Sequence, residues 1–302
     1  MPYHYQTYRS YLKGRFSKPV KKIPINGGFS CPNRDGTKST RGCSFCDNRS
    51  FSPVALDSSS VISQLAASIQ KASPRYELFI AYLQPFSNTY GSVEKLKSIY
   101  EPVIAVPGVV GLAVGTRPDC LSSDIYAYLA DIDKRTYLSI ELGLQSADDK
   151  VLQYNNRGHT FADFKVAVQE LAERGIESVA HVMLGLPGDT RESMLTTAEE
   201  CAKLPVSGIK IHQLMVIRGT QLEEWYNRGE IMPLELEEYA GLVSDFISLL
   251  RPDQYIHRIM ADSKKEHGLI APLWSAEKMK SIAFIQNYMD QNNIIQGGDY
   301  KE

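Results

Sequence analysis

Three cysteines in one loop are the residues of this chain whose types and spacing most directly indicate chemistry. Cys31, Cys43 and Cys46 follow the pattern C-x11-C-x2-C in a segment rich in Gly, Pro and Asn. Three thiolates can hold three irons of a [4Fe–4S] cube and leave the fourth iron without a protein ligand, whereas an electron-transfer cluster normally takes four cysteines. An open iron suits a cluster that must bind and reduce a small molecule. The spacing therefore predicts an iron–sulfur cluster with one open coordination site.

Two other uses of these cysteines remain open from the spacing alone. A zinc ribbon would use a second C-x2-C pair or two histidines at set spacing, and the nearest downstream histidine is His159. A disulfide between Cys43 and Cys46 would suit an oxidising compartment, for which the sequence carries no secretory signal. Phe45 precedes Cys46 directly, and its ring can pack over a flat, adenine-like ring beside a cluster.

The flanks of the cysteines resemble a known family. G-F-S-C-P-N-R-D-G-T and R-G-C-S-F-C are similar to the YhcC/YtqA-like subgroup of the radical S-adenosylmethionine (radical SAM) superfamily, which is related to the Elp3-like proteins. In the superfamily the usual pattern is C-x3-C-x2-C, here widened between the first two cysteines. The agreement continues in order through E-L-G-L-Q-S (141–146), N-R-G-H-T (156–160), M-L-G-L-P-G-D-T (183–190) and A-P-L-W-S (271–275).

The resemblance implies two cofactors and a radical reaction. A [4Fe–4S] cluster would bind S-adenosylmethionine (SAM) at its open iron and cleave it reductively to a 5′-deoxyadenosyl radical, which takes a hydrogen atom from the substrate. A one-electron reductant such as flavodoxin or ferredoxin would be a partner. The implied substrate is tRNA, with the wobble-uridine side chain at carbon 5 as the target. The implied reaction is a step that remodels the carboxymethylaminomethyl group at that carbon. A small metabolite or a protein side chain is an alternative substrate, and a non-catalytic metal-binding module is a second alternative.

The elements that must position these residues alternate between apolar runs and helical patterns. Six βα units predict a parallel sheet with helices outside, two short of the eight that close a barrel. The fold class is therefore α/β, a partial (βα)6 TIM-type barrel of the radical SAM type with an N-terminal arm (1–18), a core (19–230) and a C-terminal α/β extension (231–302). The predicted strands cover 20–25, 76–83, 109–114, 137–142, 176–184 and 208–216. The predicted helices begin near residue 58 and cover 93–99, 121–130, 148–153, 161–174, 191–203, 222–228, 233–250 and 276–291.

Polar residues that follow the strands are the candidate SAM ligands, because parallel barrels place their chemistry at the carboxyl ends of strands. Arg117 can grip a carboxylate or a phosphate, and Glu141 requires a partner because a carboxylate in an apolar run is costly to bury alone. A ribose hydroxyl or the SAM ammonium would serve, and a structural ion pair with a barrel arginine is the alternative. The full set of predicted cofactor-binding residues is Phe45, Gln84, Asn88, Arg117, Glu141, Gln145, Ser146, Arg157, Met183 and Gly185.

His181, His212 and Cys120 are weaker candidates for chemistry on the substrate. A histidine within a strand is more often a satisfied core residue than a catalyst. Cys120 can donate a hydrogen atom or pack as a small apolar side chain, and packing is the favoured interpretation.

The charge distribution favours contact with nucleic acid, although the net charge is only −2. The first 34 residues contain seven basic residues and no acidic residue, interleaved with Tyr3, Tyr5, Tyr8, Tyr11 and Phe16. Cations meet phosphates and aromatic rings stack on unpaired bases; packing of the tyrosines on the barrel is the alternative. The predicted substrate-binding cations are Lys13, Arg15, Lys18, Lys21 and Lys22 in this region and Arg258, Lys264 and Lys265 in the extension.

Composition sets the remaining limits. A chain of 302 residues with 43% hydrophobic content can bury a large core. No apolar run reaches the 18 residues of a membrane-spanning helix, so no membrane association is expected. Five cysteines without a signal peptide predict a reducing, cytoplasmic location.

Overall fold

A computed structural model describes residues 4–47, 52 and 54–301 of the chain. The helices are α1 (Tyr8–Arg15), α2 (Val61–Ala72), α3 (Val93–Ile104), α4 (Ser123–Asp133), α5 (Asp149–Tyr154), α6 (Phe161–Ala172), α7 (Arg191–Lys203), α8 (Gln221–Asn227), α9 (Leu236–Ser248) and α10 (Lys278–Gln291). The strands are β1 (Val20–Ile25), β2 (Leu78–Leu83), β3 (Val109–Thr116), β4 (Tyr137–Gln145), β5 (Glu177–Leu184), β6 (Gly208–Gln213), β7 (Val216–Ile217), β8 (Tyr255–Arg258) and β9 (Leu269–Ala271). None of the helices within these ranges is long and apolar enough to cross a membrane.

The central sheet has seven parallel strands in the order β1-β2-β3-β4-β5-β6-β8. Strands β2 to β4 are buried along almost their whole length, as expected for parallel strands covered on both faces. The first six strands lie where the alternating pattern predicts them. The seventh strand, β8, was not predicted, because its four residues give too short a pattern to identify a strand. The predicted sixth strand ends earlier than expected, at Gln213, and Val216 pairs with β9 in a separate sheet.

The sheet curls into an incomplete barrel whose amino-terminal end is closed by α1. Thr7 forms a parallel bridge with Ile256 of β8, and the rings of Tyr8 and His257 stack with centroids 3.8 Å apart. The ring of Tyr11 stacks on Tyr255 at 4.2 Å, and Phe16 packs edge-on against Tyr137. These contacts correct the expectation that the aromatic residues of the arm face unpaired bases, since Tyr8, Tyr11 and Phe16 pack on the barrel. Tyr3 lies outside the described residues.

Candidate active site

One pocket at the carboxyl ends of the strands gathers most of the predicted cofactor-binding residues. The cysteine loop after β1 forms one wall, and the barrel interior forms the floor. Cys120 is buried outside this lining. The predicted residues that line the pocket are Cys31, Cys43, Phe45, Cys46, Gln84, Arg117, Glu141, Gln145, Arg157, His181, Met183, His212 and Arg258.

The cysteine loop presents three free thiols to this pocket, so the alternative of a Cys43–Cys46 disulfide is not what the structure shows. Asn33 points its amide Nδ2 at Cys43 Sγ from 3.5 Å, and Arg34 Nη1 lies 3.7 Å from Cys46 Sγ. Burial, together with the charge of Cys43, raises the pKa of Cys46 to about 12. The Arg34 guanidinium acts against this rise in the pKa, because a nitrogen donor directed at sulfur stabilises the thiolate. This donor set therefore fits a cluster bound through cysteine.

No three His, Cys, Asp or Glu side chains among residues 4–47, 52 and 54–301 converge on a single ion-sized position. Binding of a cube through one cysteine per iron does not require such convergence, because each sulfur then meets a different iron.

Arg157 connects the cysteine loop to β4. Its Nη1 lies 3.4 Å from Cys43 Sγ, and its Nη2 donates to the carbonyl of Gly143 at 2.7 Å. A Cβ on Gly143 would lie 2.4 Å from Arg157 Nη2, so only glycine leaves room for this guanidinium. The Nε of Arg157 is buried and meets no hydrogen-bond partner among the described residues. Arg157 thus contacts the sulfur of Cys43 and keeps one unused donor inside the site.

Arg117 lies directly after β3, and its guanidinium donates hydrogen bonds to other groups of the protein. It pairs with Asp119 through two hydrogen bonds of 2.9 Å and donates to the carbonyl of Arg157 at 2.7 Å. Lys38 of the cysteine loop reaches the same Asp119 at 2.6 Å. Burial would raise the pKa of Asp119, but the hydrogen bonds from Arg117 outweigh it and hold the pKa at about 2. This network fastens the cysteine loop to the barrel.

Glu141 is the centre of a charged layer across the barrel interior. Its carboxylate accepts hydrogen bonds from Lys22 of β1, from Lys210 of β6 at 3.0 Å and from His181 of β5 at 2.6 Å. Glu141 is 1% exposed, which explains why it requires partners. The partners are two lysines and a histidine, whereas the structural alternative drawn from the sequence was an arginine.

Arg258 and His212 occupy the side of the pocket formed by β6 and β8. Arg258 Nη2 donates to His212 Nε2 at 2.8 Å, which requires that nitrogen of His212 to be unprotonated. Burial, followed by the charge of Arg258, lowers the pKa of His212 well below its usual value. His212 is therefore neutral at physiological pH.

Two loop residues of the pocket have left-handed backbone conformations. Phe86, in the loop after β2, has φ = 66°, and Gln145, at the end of β4, has φ = 78°. Residues other than glycine rarely adopt such angles, which cost about 1–3 kcal/mol and cluster at functional sites. Phe86 was not among the predicted site residues, because the sequence around it gives no sign of this backbone angle.

Three of the predicted cofactor-binding residues lie outside the pocket lining. Asn88 is buried and donates to the carbonyls of Leu83, Pro85 and Gly115, so it holds the loop after β2. Ser146 Oγ accepts from the backbone of Asp148 in a turn. Gly185 is in a left-handed conformation (φ = 85°), and its N–H points at Met194 Sδ.

The predicted substrate-binding cations fall into three places. Arg15 pairs with Glu177 and Lys18 with Glu77, so both lie at the amino-terminal ends of strands, and Lys13 and Lys21 are exposed on this part of the chain. Lys22 and Arg258 lie inside the barrel. Lys264 and Lys265 are exposed on the segment that runs from Ala261, in the pocket wall, to β9.

Several residues of the site were missed by sequence reasoning. Lys210 interrupts the apolar run G-I-K-I-H of β6 two residues before His212, a position that signals an inward-facing charge. Tyr82, whose OH accepts from Lys210 at 3.0 Å, reads as an ordinary strand tyrosine. Asn33 gives no local signal, because its role depends on contacts with Asn156 and Arg157 far along the chain.

Comparison with protein families places this chain in a known class. Residues 35–201 match the family model of the radical SAM superfamily, and residues 206–291 match that of the radical SAM C-terminal domain. The chain belongs to the radical SAM superfamily, and its relatives place it in the YhcC/YtqA-like subgroup. The resemblance drawn from the cysteine flanks is confirmed.

Individual relatives agree with this assignment. The uncharacterized protein YtqA of Bacillus subtilis (strain 168) is 36% identical over 97% of this chain and 92% of its own length. A tRNA uridine(34) acetyltransferase of Dehalococcoides mccartyi (strain CBDB1) is 35% identical, over 57% of this chain and 37% of that protein. The structure of the archaeal Methanocaldococcus infernus Elp3 with an N-terminal deletion aligns with a TM-score of 0.68 over 92% of this chain and 64% of that chain, at 19% identity. This likeness confirms the predicted fold class.

Proposed function

We propose that Cys31, Cys43 and Cys46 bind a [4Fe–4S] cluster with an open iron for SAM, and that the enzyme modifies the carbon-5 side chain of the wobble uridine in tRNA. The observation that carries this proposal is that one pocket joins the three thiols to the charged barrel interior. The pocket offers a cluster site, neighbouring polar groups and interior space in one continuous volume. The 19–230 core and the 231–302 extension would share this work, because both contribute lining residues.

When bound, the cluster and SAM supply a one-electron cleavage that yields a radical able to remove a hydrogen atom from the substrate. The protein's part is placement and exclusion of water. Asn33 and Arg157 orient Cys43, while Gln84, Gln145, Met183 and Phe45 surround the space next to the thiols. Glu141 and Arg117, the predicted charged ligands of SAM, are already paired with protein groups, so we propose that they act by shaping the site.

Support for tRNA comes from the relatives and from the mouth of the pocket. The partial match to a tRNA uridine(34) acetyltransferase suggests a nucleic-acid substrate of the same kind. Arg34 lines the pocket, and Arg218 is exposed beside the lining residue Ile217 and next to the segment that carries Lys264 and Lys265. Exposed cations beside the opening can hold phosphates while a base enters.

The decisive experiment is nucleoside mass spectrometry of tRNA from cells with and without the gene. We expect a wobble-uridine nucleoside to disappear and its precursor to accumulate without the gene. Complementation with wild type should restore the nucleoside, and the Cys31→Ala, Cys43→Ala, Cys46→Ala triple variant should not. Identical nucleoside profiles in the two strains would reject tRNA and favour the small-metabolite or protein alternative.

A binding experiment can locate the tRNA contacts. Replacing Arg218, Lys264 and Lys265 by Gln should reduce the salt slope of tRNA binding by about 2–3, since each phosphate contact contributes about 0.7–0.9. The matched control replaces Lys13, Lys18 and Lys21 by Gln, three cations at the closed end of the barrel. A loss of slope in the control alone would move the contact surface to the N-terminal arm.

A further inference from the structure

The barrel floor, which is the charged layer around Glu141 in the barrel interior, holds more positive than negative charge. Lys22, Lys210 and Arg258 lie in it, and Glu141 is the one carboxylate that contacts cations there within the described part of the chain. Asp262 also acts electrostatically on Arg258, but it is exposed and forms an ion pair with Lys278 at 2.6 Å. A buried charge is costly unless an opposite charge accompanies it, so this excess requires an explanation.

Arg258 is the member of this group that lacks a carboxylate partner. No carboxylate of the described residues lies within 4.0 Å of its guanidinium, which instead donates a hydrogen bond to the neutral His212. Its Nε is buried without a hydrogen-bond partner in the same part of the chain. The planar guanidinium matches a carboxylate, which it binds with two parallel hydrogen bonds. Arg258 therefore has both the charge and the unused donor that an anion would satisfy.

Lys210 stands beside Arg258. The two residues are register partners on the neighbouring parallel strands β6 and β8, and both line the pocket. Burial and the charge of Arg258 lower the pKa of Lys210. An anion bound between them would relieve this repulsion.

We propose that Arg258 and Lys210 form an anion subsite in the barrel floor that binds a carboxylate of the substrate. The identity of that carboxylate rests on the proposed function: a wobble uridine whose carbon-5 side chain ends in a carboxymethylamino group would extend its negative end toward the floor. The existence of the subsite does not depend on that identity, because it is inferred from a guanidinium without a carboxylate partner and from its lysine neighbour.

The test compares two nucleosides and one small anion on the reconstituted holoenzyme. Calorimetry with SAM present should show that wild type binds 5-carboxymethylaminomethyluridine about tenfold or more tightly than 5-aminomethyluridine. Carbon-13 line broadening of acetate should show saturable binding. Arg258→Gln should abolish both effects, and it should fold normally because Arg258 has no carboxylate partner to lose. The matched control is Arg135→Gln, which removes an exposed arginine paired with Glu101 outside the barrel.

The outcomes separate the subsite from the proposed function. The subsite is supported if wild type binds acetate and Arg258→Gln abolishes this binding. Unchanged tRNA nucleosides after loss of the gene would count against the proposed function but not against the subsite. Absence of saturable acetate binding in wild type overturns the subsite. So does an Arg258→Gln variant that keeps the nucleoside preference. A variant that keeps this preference and instead loses SAM affinity shows that Arg258 serves the carboxylate of SAM, which also overturns the proposal.

Discussion

Arg157 Nη1 lies 3.4 Å from Cys43 Sγ, while the same guanidinium donates to the carbonyl of Gly143 at 2.7 Å. The position of a proposed cluster ligand is thereby tied to the backbone of β4, because a side chain on Gly143 would displace the guanidinium. Charged hydrogen bonds to sulfur are among the features that set the properties of an iron–sulfur cluster. The strand and the cysteine loop therefore act as one unit.

The cysteine assignment predicts the iron content of variants. Anaerobically reconstituted wild type should hold about four irons per chain, and substitution of Cys31, Cys43 or Cys46 by Ala should reduce this strongly. Cys201→Ala is the matched control, since Cys201 is buried in α7. Iron and sulfide analysis with visible absorbance measures the result. Stoichiometric zinc without brown colour in wild type would contradict the assignment.

Gly143→Ala should alter the cluster without touching a cysteine. The added Cβ would lie 2.4 Å from Arg157 Nη2, so the guanidinium must move away from Cys43. Loss of a cationic donor beside a sulfur should lower the reduction potential by about 60 mV or more, the equivalent of a hydrogen bond of about 1.5 kcal/mol to a charged group. Redox titration followed by electron paramagnetic resonance measures this shift. Gly14→Ala, where a Cβ meets no atom within 4 Å, should leave the potential unchanged.

Glu141→Gln should destabilise the protein by about 3–5 kcal/mol, because it leaves Lys22 and Lys210 buried without their carboxylate. Denaturant unfolding measures the loss. The matched control is Glu77→Gln, which removes an exposed pair with Lys18 and should cost at most about 1 kcal/mol. Equal losses in both variants would show that the buried cations do not depend on Glu141.

The effect of Glu141→Gln should depend on pH. Burial, followed by repulsion from other cations, lowers the pKa of Lys22 and Lys210 in the native state. Between the lowered native pKa and the usual lysine value the unfolded chain binds more protons, so stability rises with pH in that window. Without the Glu141 carboxylate, the native pKa of these lysines falls further, so this pH window widens. The loss of unfolding free energy in Glu141→Gln should therefore be largest near neutral pH and shrink toward about pH 10. Unfolding curves at several pH values measure this loss, and a loss that does not change with pH would contradict the prediction.

Tyr11→Phe tests the closure of the barrel by α1. The Tyr11 hydroxyl donates to Glu177, which also accepts from Tyr137 at 3.0 Å and Tyr255 at 3.1 Å. Loss of this hydrogen bond to a charged group should cost about 1.5 kcal/mol of unfolding free energy. The control Tyr154→Phe changes an exposed tyrosine and should have little effect. Iron content should be the same in both, and a drop in iron with Tyr11→Phe would mean that the closed end influences the cluster site.

The fold, and the meeting of Cys31, Cys43 and Cys46 at one pocket, were predictable because their signals are local. The alternation of strands and helices repeats every few tens of residues, and Cys43 and Cys46 are three residues apart. The partners of Glu141 were not predictable, since Lys22 and Lys210 come from strands far apart in the chain and meet only when the sheet curls. β8 escaped notice because it has four residues, and its place in the sheet depends on pairing with β6.

The aromatic residues of α1 show the limit of reasoning from composition. Tyr8 and Tyr11 interleave with cations, as a nucleic-acid contact would require, but an amphipathic helix that packs on a barrel gives the same pattern. Their partners His257 and Tyr255 lie at the other end of the chain. Composition shows that α1 has an aromatic surface, but it does not show whether protein or nucleic acid covers that surface.

The pairing of Thr7 and Gln6 with Ile256 has a consequence for how the chain folds. During synthesis α1 leaves the ribosome long before β8, the strand next to which it docks. An isolated eight-residue helix is marginal in water, so α1 gains lasting order only at the end of folding. Contacts between distant parts of a chain are slow to form, because a large loop must close first. An element that is synthesised early is thus among the last to dock.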